Sequence, residues 1–466
     1  MNTPEHVHFV GIGGYGMSAI ARVMLDMGYK VSGSDVAQKE LTDQLSERGA
    51  TVYIGHEANN VNGADLVVYS TGVPEDNVEL KAAEDKRIPL LHRSQMLARL
   101  LNERKGIAVS GAHGKTTTSS MIAQVMEECG VDPTYVIGGE VVGLGGNAKA
   151  GNSEYVVAEA DESDGSFLEY FPYLAVVTNV EADHLENYDG SFDNLKEAYK
   201  QFLSQVRPGG AAVVCGDDPY IQELLPGMRS EVVTYGLERD RDFAATDIQN
   251  ANGRTVFTVW EKGGRQGNVT LSFPGRHNVY NALATIAVCR HIGLPFQDIA
   301  KALPHFSGTK RRFQLVGEVD GITVIDDYAH HPTEIETTIE AANALNKRII
   351  AVFQPQRYSR TYFLLDAFSR AFGRADEVVM TDIYSPVGEA RIEGVSSERL
   401  TQLIRENSNP NVIFCKTNED VHHYLMERVK PGDLVLTMGA GDIWTVAHKL
   451  VQTLHARSLN QPINKQ

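Results

Sequence analysis

The sequence predicts an α/β chain of three domains, each built on a mostly parallel sheet. Three observations carry this expectation. Short apolar runs alternate with stretches of helical spacing for most of the length. The alternation is interrupted and reset twice. The length of 466 residues is about three times that of an ordinary domain, and a hydrophobic content of 42% suffices for several cores.

In the first set, "VHFVGIG", "YKVSGSD", "DLVVYST" and "IPLL" read as short buried strands, with "MSAIARVMLDMG" and "RSQMLARLLNE" as helices between and after them. The charged stretch "NERKG" closes this set. The second set has "GIAVSG", "EYVVAEA", "LAVVTNV" and "AAVVCGD" as strands, and helices such as "FDNLKEAYKQFLSQV" follow several of them. Residues 243–275 differ: "RTVFTVWEKGGRQGNVTLSF" reads as a hairpin, a small antiparallel patch on the second domain. Around "FSGTKRRFQ" the pattern resets, and "ITVIDDY", "RIIAVFQ", "DEVVMTD", "NVIFC" and "DLVLTMGAGD" supply the strands of a third set. The expected domains are therefore 1–104, 105–308 and 309–466. The closing "ARSLNQPINKQ" is polar and reads as a frayed tail.

Charge and cysteine usage narrow the function classes. With 43 basic and 60 acidic residues the net charge is −17, which disfavours non-specific nucleic-acid binding. Cys129, Cys215, Cys289 and Cys415 are far apart and form no metal-ligand spacing, which favours a reducing compartment. The start has no signal-peptide pattern, and no apolar run is long enough to span a membrane. A cytoplasmic protein without membrane insertion is expected.

The second domain opens on "GIAVSGAHGKTTTSSMIAQVM", an apolar run, a Gly-rich turn and a helix. Such a turn aims several backbone N–H groups at one point, where the helix dipole adds positive charge. Lys115 would supply a full charge to terminal phosphates, and the Thr116 hydroxyl can ligate Mg²⁺. The usual phosphate loop begins with a Gly where Val109 stands here, so the loop is short, starting at Gly111. A plain strand-to-helix turn with a solvated Lys is the competing reading. The first domain carries "FVGIGGYGMSAIA", in which Gly11, Gly13 and Gly16 fit a dinucleotide-binding fingerprint between strand and helix. Asp35, nineteen residues past Gly16, stands where an acidic residue would meet a ribose hydroxyl. A turn serving helix packing alone remains the alternative. Two acidic clusters follow strands of the second domain: Glu159, Asp161, Glu162 and Asp164, then Glu181, Asp183 and His184. Solvated acidic loops would look the same. Next to a phosphate loop, at the carboxyl ends of parallel strands, they suit Mg²⁺.

Taken in order, "GAHGKTTT", "EADES", "TNVEADH", "GRHNVYNALA" and "DDYAHHPTEI" resemble the Mur ligase family of ATP-dependent amide-bond ligases, whose phosphate loop has this short form. "GIGGYGMS" and "HRSQMLARL" most resemble the member that adds the first residue. The resemblance implies a Rossmann-like first domain holding the UDP-sugar, a P-loop-type central ATPase domain and a Rossmann-like third domain for the amino acid. It implies ATP-dependent ligation of L-alanine to the carboxylate of UDP-N-acetylmuramate, with Mg²⁺, in peptidoglycan synthesis, hence in cell-wall biogenesis, cell shape and division. A monomer or weak homodimer is expected.

Residue by residue, the resemblance implies that Gly111, Ala112, His113, Gly114, Lys115, Thr116 and Thr117 cradle the ATP phosphates. Thr116, Glu159 and His184 would hold the metal. His277, Asn278 and Asn281 would border the adenine, and Arg312 and Asp327 would reach the nucleotide from the third domain. Gly11, Gly13, Gly14, Gly16, Met17, Ser18, Asp35, Ser70, Thr71, Gly72 and Arg93 would receive the UDP-sugar. Arg357 and Arg360, three apart and suited to a carboxylate, would anchor alanine together with His330. Several family members carry a carbamylated Lys after the "DH" motif. Lys196 and Lys200 lie nearby, neither registers with it, and both read as exposed lysines on a helix.

Three further readings compete. A nicotinamide-dependent oxidoreductase would use the first Gly loop and leave the second unexplained. A nucleotide switch would use Lys115 without amide chemistry. A ligase that recycles a whole peptide onto the same sugar nucleotide would differ only in its third-domain pocket.

Overall fold

A computed structural model describes residues 5–251, 253–385 and 389–459. The chain packs as two compact units, one of Met1–Ile248, Val256–Thr270 and Val279–Ser307, the other of Gln249–Thr255, Leu271–Asn278 and Gly308–Gln466.

The first unit contains a five-stranded sheet made of β1 (His6–Val10), β2 (Lys30–Asp35), β3 (Thr51–Ile54), β4 (Leu66–Tyr69) and β5 (Leu90–His92), in the order β3-β2-β1-β4-β5. All pairings are parallel, with Phe9 opposite Gly33 on one side and Val68 on the other. Parallel strands covered on both faces are buried along their length, and every residue of β1 is, its two histidines included. The order reverses around β1, so the crevice at its carboxyl end receives the turn Gly11–Gly14 and the helix Tyr15–Asp26. On the helix Val78–Asp85, Glu79 is fully buried. It accepts bonds from Ser34 Oγ (2.5 Å), Asn60 Nδ2 (2.6 Å) and the Glu57 amide (3.1 Å), with His8 Nε2 at 3.3 Å. Burial opposes its charge, but these partners overcome it and hold the carboxyl at about 2.

A second sheet follows, with β6 (Lys105–Ser110), β7 (Thr134–Val141), β8 (Gly146–Lys149), β9 (Tyr155–Glu159), β10 (Leu174–Val177), β11 (Ala211–Cys215), β12 (Glu231–Gly236), β13 (Phe243–Ala251), β14 (Arg254–Glu261) and β15 (Gly264–Leu271). Its order is β15-β14-β13-β12-β11-β10-β6-β9-β7-β8. The central strand β6 runs parallel to both β9 and β10, which brings three strand ends, and the loops that follow them, to one edge. The expected hairpin is β14–β15. Its connection, Lys262–Gly263, has φ of 47° and 79°, the mirror-image turn that matches strand twist. This patch extends the main sheet, because β13 pairs in parallel with β12.

The second unit holds β16 (Gln314–Val319), β17 (Ile322–Asp327), β18 (Arg348–Phe353), β19 (Glu377–Met380), β20 (Val412–Phe414) and β21 (Asp433–Met438), ordered β16-β17-β21-β18-β19-β20. Only β16 is antiparallel to its neighbour. Apolar cores cover both faces, one around Ile335, Ile339, Phe368 and Phe372, the other around Val421, Val446 and Leu450. The final helix, Trp444–Leu459, includes Ala456–Leu459, residues that the sequence reads as tail. Its buried stripe of Val446, Ala447, Leu450, Val451 and Leu454 keeps helical period and carries the turn onward. The rest of the expected tail, 460–466, lies outside the described residues.

Candidate active site

Strand β6 ends at Ser110 and the helix Lys115–Glu128 begins five residues later. Between them the backbone turns sharply through Gly111 and Gly114, whose φ of 132° and 85° are unfavourable for other residues. Space is equally restrictive. A Cβ on Gly111 would stand 2.0 Å from Thr178 Oγ1, and one on Gly114 would stand 2.8 Å from Asn281 Oδ1. Residues at the end of β10 brace the loop. Asn179 accepts from the His113 amide (2.8 Å) and donates to the His113 carbonyl (2.9 Å), and Thr178 Oγ1 donates to the same carbonyl (2.6 Å). The helix is then buried nearly all round despite its run of hydroxyl residues. Ser119 and Ser120 donate to the Thr116 carbonyl, which satisfies them internally.

Lys115 folds back over this loop. Its ammonium donates to the Gly111 carbonyl (2.6 Å) and to Glu162 Oε1 (2.7 Å), with the Ala112 carbonyl at 3.4 Å. Burial disfavours the charge, but Glu162, Asp161 and Glu159 outweigh it and raise the Lys115 pKa. Asp161 is lowered: burial opposes ionisation and Lys115 overcomes it. The Glu162 main-chain carbonyl accepts from the Tyr188 hydroxyl. Thr116 Oγ1 donates to Glu159 Oε2 (3.1 Å), while Glu159 Oε1 accepts from the Gly138 amide (2.7 Å). A hydroxyl and a carboxylate thus converge at the helix start, a hard-oxygen pair that fits Mg²⁺. His184 is placed with φ of 55° and its Nε2 3.4 Å from Asp183, so Thr116 and Glu159 are the members of the expected metal set that the structure joins directly. His113 Nε2 lies 3.2 Å from Glu181. Thr117 is half-buried on the first turn.

The other Gly loop is anchored by Asp35. One carboxylate oxygen accepts from the Gly13 amide (2.9 Å), and the other pairs with Lys39 (2.9 Å). A Cβ on Gly13 would lie 2.7 Å from this carboxylate. Asp35 is therefore buried as a strut of the loop, a role that Gly spacing does not reveal. Arg93 crosses Gly16, where a Cβ would meet its Cδ and guanidinium at 3.1 Å, and its charge also lowers Asp161. Gly14 precedes the helix as its cap, Met17 and Ser18 are buried on it, and Ser18 Oγ donates to the Tyr15 carbonyl. Ser70, Thr71 and Gly72 follow β4, with Thr71 Oγ1 3.1 Å from His92 Nε2.

Asn281 braces Gly114 and lies 3.2 Å from the Thr118 hydroxyl. On the same helix, His277 is half-buried and pushed down to about 4 by desolvation, and Asn278 donates to the Pro274 carbonyl (2.8 Å). Within the second unit, Asp327 accepts from the Phe313 (2.6 Å) and Ala329 (2.7 Å) amides. Burial raises its carboxyl to about 6 against the pull of Arg312. The Arg312 guanidinium lies over the Tyr328 ring. Arg357 has φ of 68°, a strained conformation for a side chain of this size, and Arg360 follows one turn later, donating to Gln356 Oε1 (3.1 Å). Glu389 locks this turn by accepting from Tyr358 and Ser359 amides and the Ser359 and Ser385 hydroxyls. Lys196 is held by Asp193 (3.0 Å) and Glu223 (3.2 Å) and is less exposed than expected, whereas Lys200 is half-exposed.

The pairing of Glu162 with Lys115, and the bracing by Thr178 and Asn179, are not legible in the sequence. The available signal was position: Asn179 directly follows the buried strand next to β6, on the ligand side of the sheet.

Three family models match the chain: "Mur ligase family, catalytic domain" over residues 6–105, "Mur ligase middle domain" over 109–289 and "Mur ligase, glutamate ligase domain" over 311–441. A UDP-N-acetylmuramate–L-alanine ligase from Pelotomaculum thermopropionicum is 49% identical over 456 residues, covering 97% of this chain and 98% of that protein. The crystal structure of a UDP-N-acetylmuramate–alanine ligase from Thermotoga maritima superposes with a TM-score of 0.81 at 30% identity, covering 98% of this chain and all of that one. A murein peptide ligase from Psychrobacter arcticus gives 0.71 at 25% identity, covering 97% and 98%.

Proposed function

This chain belongs to the Mur ligase family, and from that premise we propose that it joins L-alanine to the carboxylate of UDP-N-acetylmuramate with ATP, releasing ADP and phosphate, in peptidoglycan precursor synthesis. The observation that carries the reading is a phosphate loop closed around Lys115, within a chain that matches alanine ligases along nearly all its length.

A carboxylate is a poor acyl donor because oxide is a poor leaving group. Attack of a carboxylate oxygen on the γ-phosphorus of ATP expels ADP and makes an acyl phosphate. The alanine amine attacks the acyl carbon and phosphate departs. The protein contributes positioning and charge neutralisation. Loop amides and the Lys115 ammonium meet the phosphates, and the carboxylates around Lys115 keep it charged well above neutral pH. Thr116 and Glu159 would hold Mg²⁺, joined by His184 in this reading, and the ion when bound neutralises phosphate charge.

The first Gly loop and Arg93 receive the UDP-sugar in this proposal, and Arg357 and Arg360 receive the alanine carboxylate. His277, Asn278, Asn281, Arg312 and Asp327 serve the nucleotide. The three separate sheets support a division into domains near residues 104 and 308. Among the described residues no helix is long and apolar enough to cross a membrane, and the four cysteines are free. A cytoplasmic location and a monomeric or weakly dimeric state are part of the same proposal.

The test is ADP release in the presence of UDP-N-acetylmuramate and each amino acid in turn, with Lys115→Ala as the blank. Release that requires both the sugar nucleotide and alanine, and that is lost in the variant, is expected. Release indifferent to alanine would refute the reading.

A further inference from the structure

Amide formation needs a proton acceptor, because the attacking amine carries positive charge once its C–N bond forms. The second unit supplies one. His330 Nδ1 lies 3.0 Å from the Tyr328 carbonyl and 3.3 Å from Glu334 Oε2. Both partners are acceptors only, so both require the proton on Nδ1, and the neutral ring presents its lone pair at Nε2. The ring is held further by an edge contact to Tyr328 at 5.3 Å, and the His330 amide donates to Glu334 (2.9 Å). The side chain keeps 19% exposure, enough for a ligand to reach it.

We propose that His330 is the general base that takes the amine proton as the amino acid attacks the activated carboxyl. The assignment rests on the alanine-ligase reading above. The amine lone pair forms the C–N bond while the carbonyl π pair moves onto oxygen. His330 Nε2 takes one N–H proton from the resulting tetrahedral intermediate. The C=O bond re-forms, and the C–O bond to phosphate breaks with its electron pair leaving on phosphate. The first proton of the incoming ammonium goes to water before attack.

The charges around the ring suit this role. Burial holds the ring neutral, with its pKa down at about 4, and the like charges of Arg360 and Arg312 push the same way, while Glu334 and the Tyr328 carbonyl oppose them. An amino-acid carboxylate on Arg360 offsets one of those positive charges. It thereby raises the basicity of His330 when substrate is bound, so that the base is strengthened by the molecule it serves.

The experiment compares His330→Gln with the unaltered chain in two reactions, each with ATP and UDP-N-acetylmuramate. One uses L-alanine, the other concentrated hydroxylamine, which is already a free nucleophile near neutral pH and traps the acyl phosphate as a hydroxamate. The expected result is a loss of roughly 10²–10⁴-fold in kcat with alanine and hydroxamate formation within about twofold of the unaltered chain, which also shows that the variant is folded. Equal losses in both reactions would overturn the assignment, and so would an effect confined to the KM for alanine. An unaltered chain that forms hydroxamate but no alanine amide would instead refute the alanine-ligase reading and the assignment with it.

Discussion

Replacing Glu162 by Gln keeps the shape of the side chain and one acceptor but removes the charge that faces Lys115. The two groups are 2.7 Å apart, and the Glu162 side chain is only 4% exposed. At an effective dielectric constant of ~20, unit charges at that distance attract by about 6 kcal/mol. Desolvation of both groups consumes much of this. What remains decisive is that removing one member of a buried pair leaves the other uncompensated, at a cost of about 3–5 kcal/mol. Glu162→Gln should therefore destabilise the first unit by about 3 kcal/mol, and Lys115→Met by a similar amount. The double variant should be no worse than either single one, a coupling of about 3 kcal/mol. Urea unfolding of the four proteins followed by circular dichroism measures this directly. Single effects that simply add in the double variant would show that the pair is not coupled and that the electrostatic account of Lys115 is mistaken.

Other perturbations follow from the same geometry. Gly111→Ala introduces a Cβ into Thr178 at a backbone conformation that Ala resists, so calorimetric titration should show ATP binding weakened by tenfold or more (about 1.4 kcal/mol), whereas Gly28→Ala, strained in backbone alike (φ 87°) but with open space around its Cβ and far from the loop in sequence, should leave it intact. Arg360→Lys keeps charge but loses the planar fork, and steady-state kinetics should show the KM for alanine raised about tenfold with that for ATP unchanged. The Glu79 carboxyl is held at about 2, against 4.5 for the free group. A depressed carboxyl contributes stability that is present above pH 4.5 and lost as pH falls through 2. The shift corresponds to about 3 kcal/mol, and Glu79→Gln should flatten that acid limb in unfolding curves collected across the window.

Local chemistry made much of this site legible. The run from Ile107 to Met126 declares a buried strand, a tight turn and a helix within one stretch, and the structure places strand, loop and Lys115 accordingly. The two acidic clusters follow strands that flank β6, so parallel topology alone brings them to the same edge. What escaped is long-range pairing. Glu162 stands 47 positions from Lys115, and nothing in either segment says which of four neighbouring carboxylates will meet the ammonium. The bond from the Gly13 amide to Asp35 escaped as well, because spacing places the carboxylate beside the loop without saying which amide it meets. Among the strands, β3 escaped because an exposed edge strand needs no apolar run, and β7 because "TYVIGGEV" breaks its pattern with two glycines. The antiparallel β16 escaped likewise, since "QLVGEV" is largely solvent-facing.

The central claim is that the sugar carboxylate is phosphorylated before the amide forms. UDP-N-acetylmuramate labelled with ¹⁸O in both carboxylate oxygens, turned over with ATP and L-alanine, tests it by mass spectrometry of the released phosphate. The account predicts one ¹⁸O atom in each phosphate formed. Phosphate carrying no label, alongside normal amide product, would contradict it.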